Sequence, residues 1–428
     1  MIKFKWETKF KKTEIGEIPR DWEINEIGEV ITQIEKGKVP EKFPGIYPYL
    51  SVDYLRGNLN NTEFYDKKAG VFVTKDDILI IWDGVINAGE IFRGREGLLS
   101  STMCRLEYDK VKIEREYFYH ALKLLEPIIR EARRGTDDRH VDKNMFLGLK
   151  IPYPPPEEQS RIATVLSWFD DLIENKKRHN KILEKTAMAI FKSWFVDFEP
   201  FKDEEFVYSE ELGKEIPMGW EVKPIGEVAE FYKGISYKGS EKFYSKTGSE
   251  KELVFITLDN ILRGGGFKIN YTWIISERIK KHQLLREIDL IIANTDMTQE
   301  AKVIGSPAIV TFPIDYYKEY GVYSHHITKI IPRDEIYRLY LYVFLKLTQD
   351  ENTTFSTGTN VLGLDIENFK RNKFVLLPPR DLLGKFHSLV EPLFQKIILN
   401  QKQIMVLRKI RDALLPKLVF GKLRVMEI

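Results

Sequence analysis

The sequence predicts an α+β protein with a pseudo-two-fold internal repeat: two β-rich globular domains joined by two long, antiparallel coiled-coil helices. Two observations predict this. The segment "EIPRDWEINEIGEV" (17–30) returns as "EIPMGWEVKPIGEV" (215–228), with nine of fourteen positions identical. After a proline pair in each half, apolar residues recur at intervals of three and four over 157–195 and 381–418, as in long amphipathic helices.

The β-rich part of each half is predicted from short apolar runs bounded by Gly, Asn and Asp. "TKDDILIIWDG" (74–84) in the first half has its counterpart in "REIDLIIANTD" (286–296). A shorter helix is predicted over 115–134 and again over 334–349. Strands and helices in this proportion indicate an α+β domain in each half.

The two long helices each carry one apolar seam, and a helix of this kind is not stable alone. We therefore expect them to pack on each other, and antiparallel packing is the simplest outcome for successive repeats. Pro392 is expected to kink the second helix or to mark a late first turn. The predicted boundaries are a first domain over 1–153, a first helix over 154–200, a second domain over 201–377 and a second helix over 378–428.

The bulk composition excludes several protein classes. The 428 residues are 43% hydrophobic and 30% charged, which is ordinary for a globular protein of two or three domains. No apolar run reaches the about 18 residues of a membrane span, and the basic N-terminus lacks the apolar region of a secretory signal. A single cysteine, Cys104, is expected in the core and suits a reducing cytoplasm. A net charge of +2 predicts that any nucleic-acid binding uses local patches.

Catalytic signatures are absent from the sequence. It contains no GxxxxGK[ST] loop, no HExxH motif and no Gly-rich dinucleotide turn. His325 and His326 are interpreted as strand neighbours on opposite faces, which makes a shared metal ion improbable. The carboxylate pairs at 157–158 and 170–171 are interpreted as a solvated helix face. Together with the duplication, these absences favour a binding or scaffold protein.

The motifs after the first domain resemble those of the specificity subunits of type I restriction–modification systems. The resemblance covers nearly the whole chain, and its most specific parts are the two-copy plan, "IPYPPPEEQSRIATVLSWFDDLIENKK" (151–177) and "IFKSWFVDF" (190–198). The second copy departs from the pattern, because the residues Glu-Glu-Gln at 157–159 become Arg-Asp-Leu at 380–382.

This resemblance implies a non-catalytic role in DNA recognition. Each globular domain would be a target-recognition domain that reads one half of a bipartite double-stranded DNA target, and the helices would fix the half-site spacing. Two methyltransferase subunits would dock on the helices, and two ATP-dependent restriction subunits would join them. S-adenosylmethionine and ATP would bind those partner subunits, with no cofactor in this chain. The predicted partner-docking residues are Phe169, Ile173, Trp194 and Phe195.

The candidate DNA-contacting residues are basic, amide, hydroxyl and aromatic side chains in predicted loops, where phosphate contacts give affinity and base contacts give specificity. Lys36-Gly37 and Lys233-Gly234 fall at matching places after each copy of the opening motif, and Gly lets the backbone approach another group closely. The candidates are Lys36, Lys38, Arg133, Arg134, Arg139, His140, Lys143, Lys233, Ser236, Tyr237, Lys238, Thr295, Gln299, Lys302, Thr359 and Asn360.

Two other interpretations stay open at the level of sequence. Trp22 and Trp220 could stack on bases, although anchoring of the first strand to the domain core is preferred. The whole chain could be a duplicated coiled-coil scaffold whose globules bind proteins without reading DNA. Sequence-specific DNA binding would distinguish the two functions. A fused nuclease or methylase is disfavoured by the missing motifs.

Overall fold

A computed structural model describes residues 2–57, 62–84, 86–131, 140–296, 303–358 and 361–427. Contacts between Cα atoms divide the chain into two compact units. Unit 1 comprises Met1–Ile173 and Leu407–Ile428, and unit 2 comprises Glu174–Val406. Both long helices contribute residues to each unit, so this division differs from one made at the ends of the helices.

The first half of the chain contains short strands followed by a long helix. Its strands are β1 (Lys3–Trp6), β2 (Phe10–Thr13), β3 (Gly16–Pro19), β4 (Glu23–Glu26), β5 (Ile31–Lys36), β6 (Pro44–Leu50), β7 (Phe64–Tyr65), β8 (Phe72–Val73), β9 (Ile78–Ile81), β10 (Ile91–Arg93), β11 (Gly97–Leu99), β12 (Met103–Tyr108) and β13 (Lys150–Tyr153). Its α-helices are α1 (Ile27–Val30), α2 (Val52–Leu55), α3 (Arg115–Glu131), α4 (Lys143–Gly148) and α5 (Pro156–Phe195).

The second half repeats this plan and ends on the last strand, which pairs with the first strand of the chain. Its strands are β14 (Phe206–Ser209), β15 (Lys214–Pro217), β16 (Glu221–Pro224), β17 (Ala229–Lys233), β18 (Lys242–Phe243), β19 (Leu253–Ile256), β20 (Thr272–Ile274), β21 (Leu284–Leu285), β22 (Leu290–Ala293), β23 (Thr295–Asp296), β24 (Pro307–Ile309), β25 (Gly321–Tyr323), β26 (Ile327–Pro332), β27 (Ser356–Thr357), β28 (Leu362–Leu364), β29 (Phe374–Leu377) and β30 (Leu423–Glu427). Its α-helices are α6 (Ile225–Val228), α7 (Tyr337–Leu347), α8 (Gln349–Thr353), α9 (Ile366–Asn372) and α10 (Arg380–Val419).

One sheet in each unit has the same strand order. In unit 1, one sheet runs β10-β9-β12-β5, and in unit 2 its counterpart runs β24-β22-β26-β17. A second sheet in each unit contains one parallel pair, β6 with β11 and β19 with β25. The first strand after each opening Trp pairs with the strand before each long helix, β4 with β13 and β16 with β29. The internal repeat predicted from sequence is therefore a repeat of topology, and the α+β prediction is confirmed.

The long helices contact each other within each unit. In unit 1, Asp170 on α5 accepts a hydrogen bond of 2.6 Å from Arg411 on α10. In unit 2, Lys176 on α5 donates to Gln403 on α10 at 2.6 Å, and Asn400 on α10 donates to Asn180 on α5 at 2.8 Å. The partner number on α10 falls as the number on α5 rises, so the two helices are antiparallel in unit 2. Helix α10 begins at Arg380 and continues through Pro392, so Pro392 does not mark a late first turn.

The opening tryptophans anchor each domain to a long helix. Trp22 is fully buried, and its indole N–H donates to the carboxylate of Glu158 on α5 at 3.1 Å. Trp220 is 7% exposed and contacts the ring of Phe195, also on α5, at a centroid distance of 5.9 Å. The anchoring role is therefore confirmed, and neither ring is available for stacking on bases.

Two carboxylates of α5 correct the sequence interpretation of a solvated face. Glu158 is 1% exposed and accepts hydrogen bonds from Trp22 and from Arg424 in β30, the latter at 2.8 Å. The Asp170 side chain is 13% exposed and pairs with Arg93 as well as Arg411. Burial is tolerated because each carboxylate has cationic partners. Cys104 is a buried free thiol, as predicted.

Candidate nucleic-acid interface

The two Lys-Gly pairs mark a close crossing between the two sheets of each unit. At Gly37 a Cβ atom would lie 2.1 Å from the carbonyl oxygen of Ser100, and at Gly234 it would lie 2.3 Å from that of Ser324. Any side chain would collide with backbone at both places, which explains why glycine follows each lysine. Each lysine is the last residue of its strand, β5 or β17, and the loop begins at the glycine that follows. There the backbone passes close to the turn at Ser100 or Ser324.

Strand register defines four equivalent positions around each crossing. Cys104 pairs with Lys36 and with Ile80 in unit 1, while Thr328 pairs with Lys233 and with Ile292 in unit 2. Because Ile80 is equivalent to Ile292, Asp83 is equivalent to Thr295. Because Cys104 is equivalent to Thr328, Thr102 is equivalent to His326. We call the resulting sets the first corner, comprising Lys36, Asp83, Thr102 and His140, and the second corner, comprising Lys233, Thr295, His326 and Gly363.

Backbone hydrogen bonds support this equivalence independently. The amide of Trp82 donates to the carbonyl of Thr102 at 2.8 Å, and the amide of Asn294 donates to that of His326, also at 2.8 Å. Asp83 forms an antiparallel bridge with His140, as Thr295 does with Gly363. The same backbone frame therefore presents different side chains in the two units.

The first corner contains a surface ion pair. Lys36 Nζ lies 2.6 Å from Asp83 Oδ2, and the two side chains are 56% and 36% exposed. The hydrogen bond to Asp83 raises the pKa of Lys36. Exposed pairs of this kind are worth little and are easily exchanged for another anion, such as a phosphate. Lys38, two residues after Lys36, is exposed, and so is His140, which forms a β-bridge with Asp83.

The second corner is built from neutral groups beside an exposed lysine. His326 Nδ1 lies 2.9 Å from Thr295 Oγ1. The rings of His325 and His326 lie 3.9 Å apart in a turn between two strands. The expectation that these two histidines point to opposite faces of a strand is wrong, because the residues form a turn. Burial, together with His325 and Lys233, lowers the pKa of His326, so its imidazole is neutral at neutral pH.

The other predicted DNA contacts fall into two groups. Tyr237 lies near the second corner, with its ring 6.2 Å from that of His325, and it is flanked by exposed Ser236 and Lys238. Lys143 is exposed on α4, three residues after His140. The remaining candidates lie outside the described residues: Arg133, Arg134, Arg139, Gln299, Lys302, Thr359 and Asn360.

Sequence reasoning missed four members of the corners: Asp83, Thr102, His326 and Gly363. The signal that could have found them is the internal repeat itself, extended residue by residue from the matched runs at 77–80 and 289–292. With that offset, Asp83 falls on Thr295, which was already a candidate. Placing the histidines beside Thr295 also requires the register of β26 against β22.

The predicted partner-docking residues differ in exposure. Ile173 and Phe195 are 4% and 3% exposed, and Phe195 packs on Tyr340 and Phe386 within unit 2. Their burial leaves little side-chain surface for another protein. Phe169 and Trp194 are half-buried. Larger apolar surface on α5 belongs to three residues that were not among the candidates, Trp168 at 42%, Leu172 at 48% and Ile182 at 60% exposed.

Comparison with known proteins identifies the family. The family model for the type I restriction modification DNA specificity domain matches residues 19–185 and again 217–407. The chain belongs to this family. The type I restriction enzyme MjaIX specificity subunit of Methanocaldococcus jannaschii is 38% identical over 100% of this chain and 99% of its own length. The MjaVIII specificity subunit of the same organism is 35% identical over 68% of each chain.

Membership in the DNA specificity family supports the recognition function over the scaffold alternative. A crystal structure of the type I restriction–modification S subunit from M. genitalium has a similar fold, with a TM-score of 0.50, 19% identity and coverage of 93% and 96% of the two chains. The family model matches twice, which agrees with the duplicated sheets. The chain is a specificity subunit with two recognition domains.

Two further features of the described residues concern metal ions and membranes. Across the ranges that the structure describes, no group of three or more His, Cys, Asp or Glu side chains is arranged to hold a metal ion. Among the same residues, no helix combines the length and apolarity needed to cross a membrane.

Proposed function

We propose that this chain is the non-catalytic DNA-reading subunit of a type I restriction–modification enzyme, and that each corner contacts one half of a bipartite target. The observation that carries the proposal is the corner built twice on one backbone frame, with an exposed lysine at the same position in each. A repeated frame suits two half-sites on one duplex. Lys36 and Lys233 supply cations that can contact phosphate.

The differences between the corners predict an asymmetric target. Asp83 in the first corner corresponds to Thr295 in the second, and Thr102 corresponds to His326. A carboxylate accepts hydrogen bonds, whereas a hydroxyl and a neutral imidazole each donate and accept. Base edges in the major groove differ in their donor and acceptor patterns, so these two corners suit different bases.

The partner subunits and their sites follow from the same function. We propose that two methyltransferase subunits dock on the long helices, and that two ATP-dependent restriction subunits complete the enzyme in the cytoplasm. Phe169, Trp194 and the more exposed Trp168 and Leu172 offer apolar surface on α5 for the methyltransferases. S-adenosylmethionine and ATP belong to those partners.

The long helices are proposed to set the spacing between the half-sites. An insertion of one helical turn in both α5 and α10 adds about 5.4 Å to each helix. The expected result is a longer non-specific spacer with both half-sites unchanged. Methylation at altered half-sites would show that the helices do not act as a ruler.

Methylation mapping of DNA modified by the complex of this chain with its methyltransferase subunits tests the function directly. We expect a split, asymmetric motif containing adenine in each part. DNA binding without sequence preference, or protein binding in its place, would instead support the coiled-coil scaffold.

A further inference from the structure

Unpaired polar atoms are concentrated at the second corner. Among the described residues, nine buried side-chain nitrogen or oxygen atoms have no hydrogen-bond partner. Four of these nine lie in or beside the histidine turn: Asn294 Oδ1, Ser324 Oγ, His325 Nδ1 and Thr328 Oγ1. Buried polar atoms are satisfied in the great majority of cases, so four together require an explanation.

The turn beside these atoms is fixed by hydrogen bonds from one side-chain amide and one backbone amide. The side-chain amide of Asn294 donates to the carbonyl of His325 at 3.3 Å, and the amide of His325 donates to the carbonyl of Ile235 at 2.9 Å. Ser324 is fully buried and Asn294 is 5% exposed. A loosely packed loop would leave such atoms in water. Here the unpaired atoms belong to a fixed, preformed polar site.

His326 is the exposed end of this site. Its Nδ1 is engaged with Thr295 Oγ1, and its Nε2 has no partner among the described residues. The ring is partly exposed, as is Thr295, and Lys233 beside them is exposed. The hydrogen bond with Thr295 restrains the ring, so that one nitrogen is left to contact a ligand with a defined donor or acceptor character.

Resting on the DNA-recognition function above, we propose that the Ser324–His326 turn is the base-reading element of the second recognition domain, with His326 and Thr295 contacting the edge of a base pair. Ordered water supplies partners for the four buried atoms, which DNA does not reach, and the turn presents His326 and Thr295 to the duplex. The ligand is thus double-stranded DNA, recognised at a base edge and not only at its backbone.

The chemistry of the corner favours a base over a phosphate for these two side chains. A neutral imidazole and a hydroxyl provide directional hydrogen bonds but no charge, whereas phosphate contacts gain most from cations. Burial and the neighbouring His325 and Lys233 lower the pKa of His326, which keeps the ring uncharged. Lys233 provides the phosphate contact at the same corner.

The test is motif mapping with the complex of full-length chain and methyltransferase subunits, comparing wild type with His326→Gln and Thr295→Val. We expect methylation of sites substituted at one position of the second half-site to rise about 10-fold relative to the intact site. The first half-site serves as the internal control and remains unchanged. Thermal melting of each variant establishes that it is folded, and His326→Gln retains polar atoms where a larger change would disturb the turn.

The outcomes separate this inference from the proposed function. An unchanged motif with full methylation in both folded variants would overturn the role of the turn and leave the DNA-reading function intact. A uniform loss of affinity with an unchanged motif would assign these residues to phosphate contact and would also overturn it. If the wild-type complex gave no bipartite motif, both proposals would fail.

Discussion

Arg411 on α10 donates a hydrogen bond of 2.6 Å to Asp170 on α5, and Arg93 from β10 lies 2.7 Å from the other oxygen of the same carboxylate. One buried anion thus ties a sheet strand and both long helices together within unit 1. The two arginines hold the pKa of Asp170 below its usual range despite its burial. This arrangement makes Asp170 a test of how the recognition domain is fixed to the helices.

We expect Asp170→Asn to destabilise unit 1 by about 1–3 kcal/mol, because Arg93 and Arg411 each lose one charged hydrogen-bond partner and keep a second carboxylate, Glu116 or Asp412. Urea unfolding measures the change. The neighbouring Asp171→Asn is a matched control, since Asp171 is exposed on the same helix. An equal effect of both variants would mean that general helix charge, and not the buried pair, is responsible.

His120 on α3 predicts how stability depends on pH. It is 2% exposed, and burial lowers its pKa to about 4, with Arg93 acting in the same direction. In the unfolded chain the pKa of histidine is about 6.5, so the unfolded state takes up a proton first as the pH falls. Stability from this group is therefore full above about pH 6.5 and is lost towards pH 4, with a loss of about 2 kcal/mol by pH 5.

The His120→Gln variant should flatten the stability profile between pH 7 and pH 5 relative to wild type, as measured by urea unfolding at each pH. Exposed His179→Gln is the control and should leave the slope unchanged. The lowered pKa of His326 contributes with the same sign in all three proteins. If His120→Gln kept the wild-type slope, His120 would not be the group that is protonated.

Alanine at Gly37 or Gly234 should destabilise the crossing by about 1–3 kcal/mol, the usual cost of overpacking, because its Cβ would overlap a backbone carbonyl. Gly148→Ala provides the comparison, since a Cβ there has no neighbour within 4 Å. That variant should be neutral or slightly stabilising. Thermal melts that show no difference among the three variants would contradict the close approach.

The Asn180–Asn400 pair should set the register of the long helices in unit 2. Asn400 is 1% exposed, and its amide donates to Asn180 at 2.8 Å. Single Asn400→Leu should cost about 1–3 kcal/mol by leaving Oδ1 of Asn180 without a donor. The double variant, with leucine at both positions, should recover this loss and weaken the preference for a single register. Double-mutant cycles in urea, with cross-linking across the helices, measure both effects.

Charge reversal at Lys233 and Lys238 should weaken DNA binding at low salt. Each lost phosphate contact lowers the slope of log affinity against log salt by about 1. Titration of duplex DNA at several salt concentrations measures this slope. Lys185→Glu, an exposed position on α5, changes the net charge as much as either single reversal and should affect the slope far less. Equal slopes in all variants would remove the β17 loop from the interface.

Much of the fold could be predicted because it depends on local periodicity. The apolar periodicity extends over 157–195 and the predicted helix boundaries were 154–200, whereas the structure has Pro156–Phe195. Burial of Glu158 and Asp170 could not be predicted from the helix alone, because their partners Arg424 and Arg411 lie more than two hundred residues away. The sequence spacing of carboxylates along a helix is the same whether they face water or pair with a distant arginine.

The candidate site was predicted in part for a similar reason. Lys36 and Lys233 could be predicted because each is followed by glycine at a matching place after the repeated opening motif. His326 was missed because its position opposite Thr295 depends on the pairing of β22 with β26, which no local pattern encodes. Interpreting the histidine pair as strand residues failed because the turn between β25 and β26 is only a few residues long.

The crossing at Gly37 and Gly234 separates positions that cannot change from positions that can. Where a methyl group cannot fit, both copies of the repeat have glycine, whereas on the paired segments Asp83 and Thr102 of the first corner correspond to Thr295 and His326 of the second. Differences between the two copies thus lie in the corner side chains, whereas the backbone path at the crossing is the same in both. Such a frame can acquire a new DNA preference through a few substitutions at its corner, with no cost to folding at the glycine beneath.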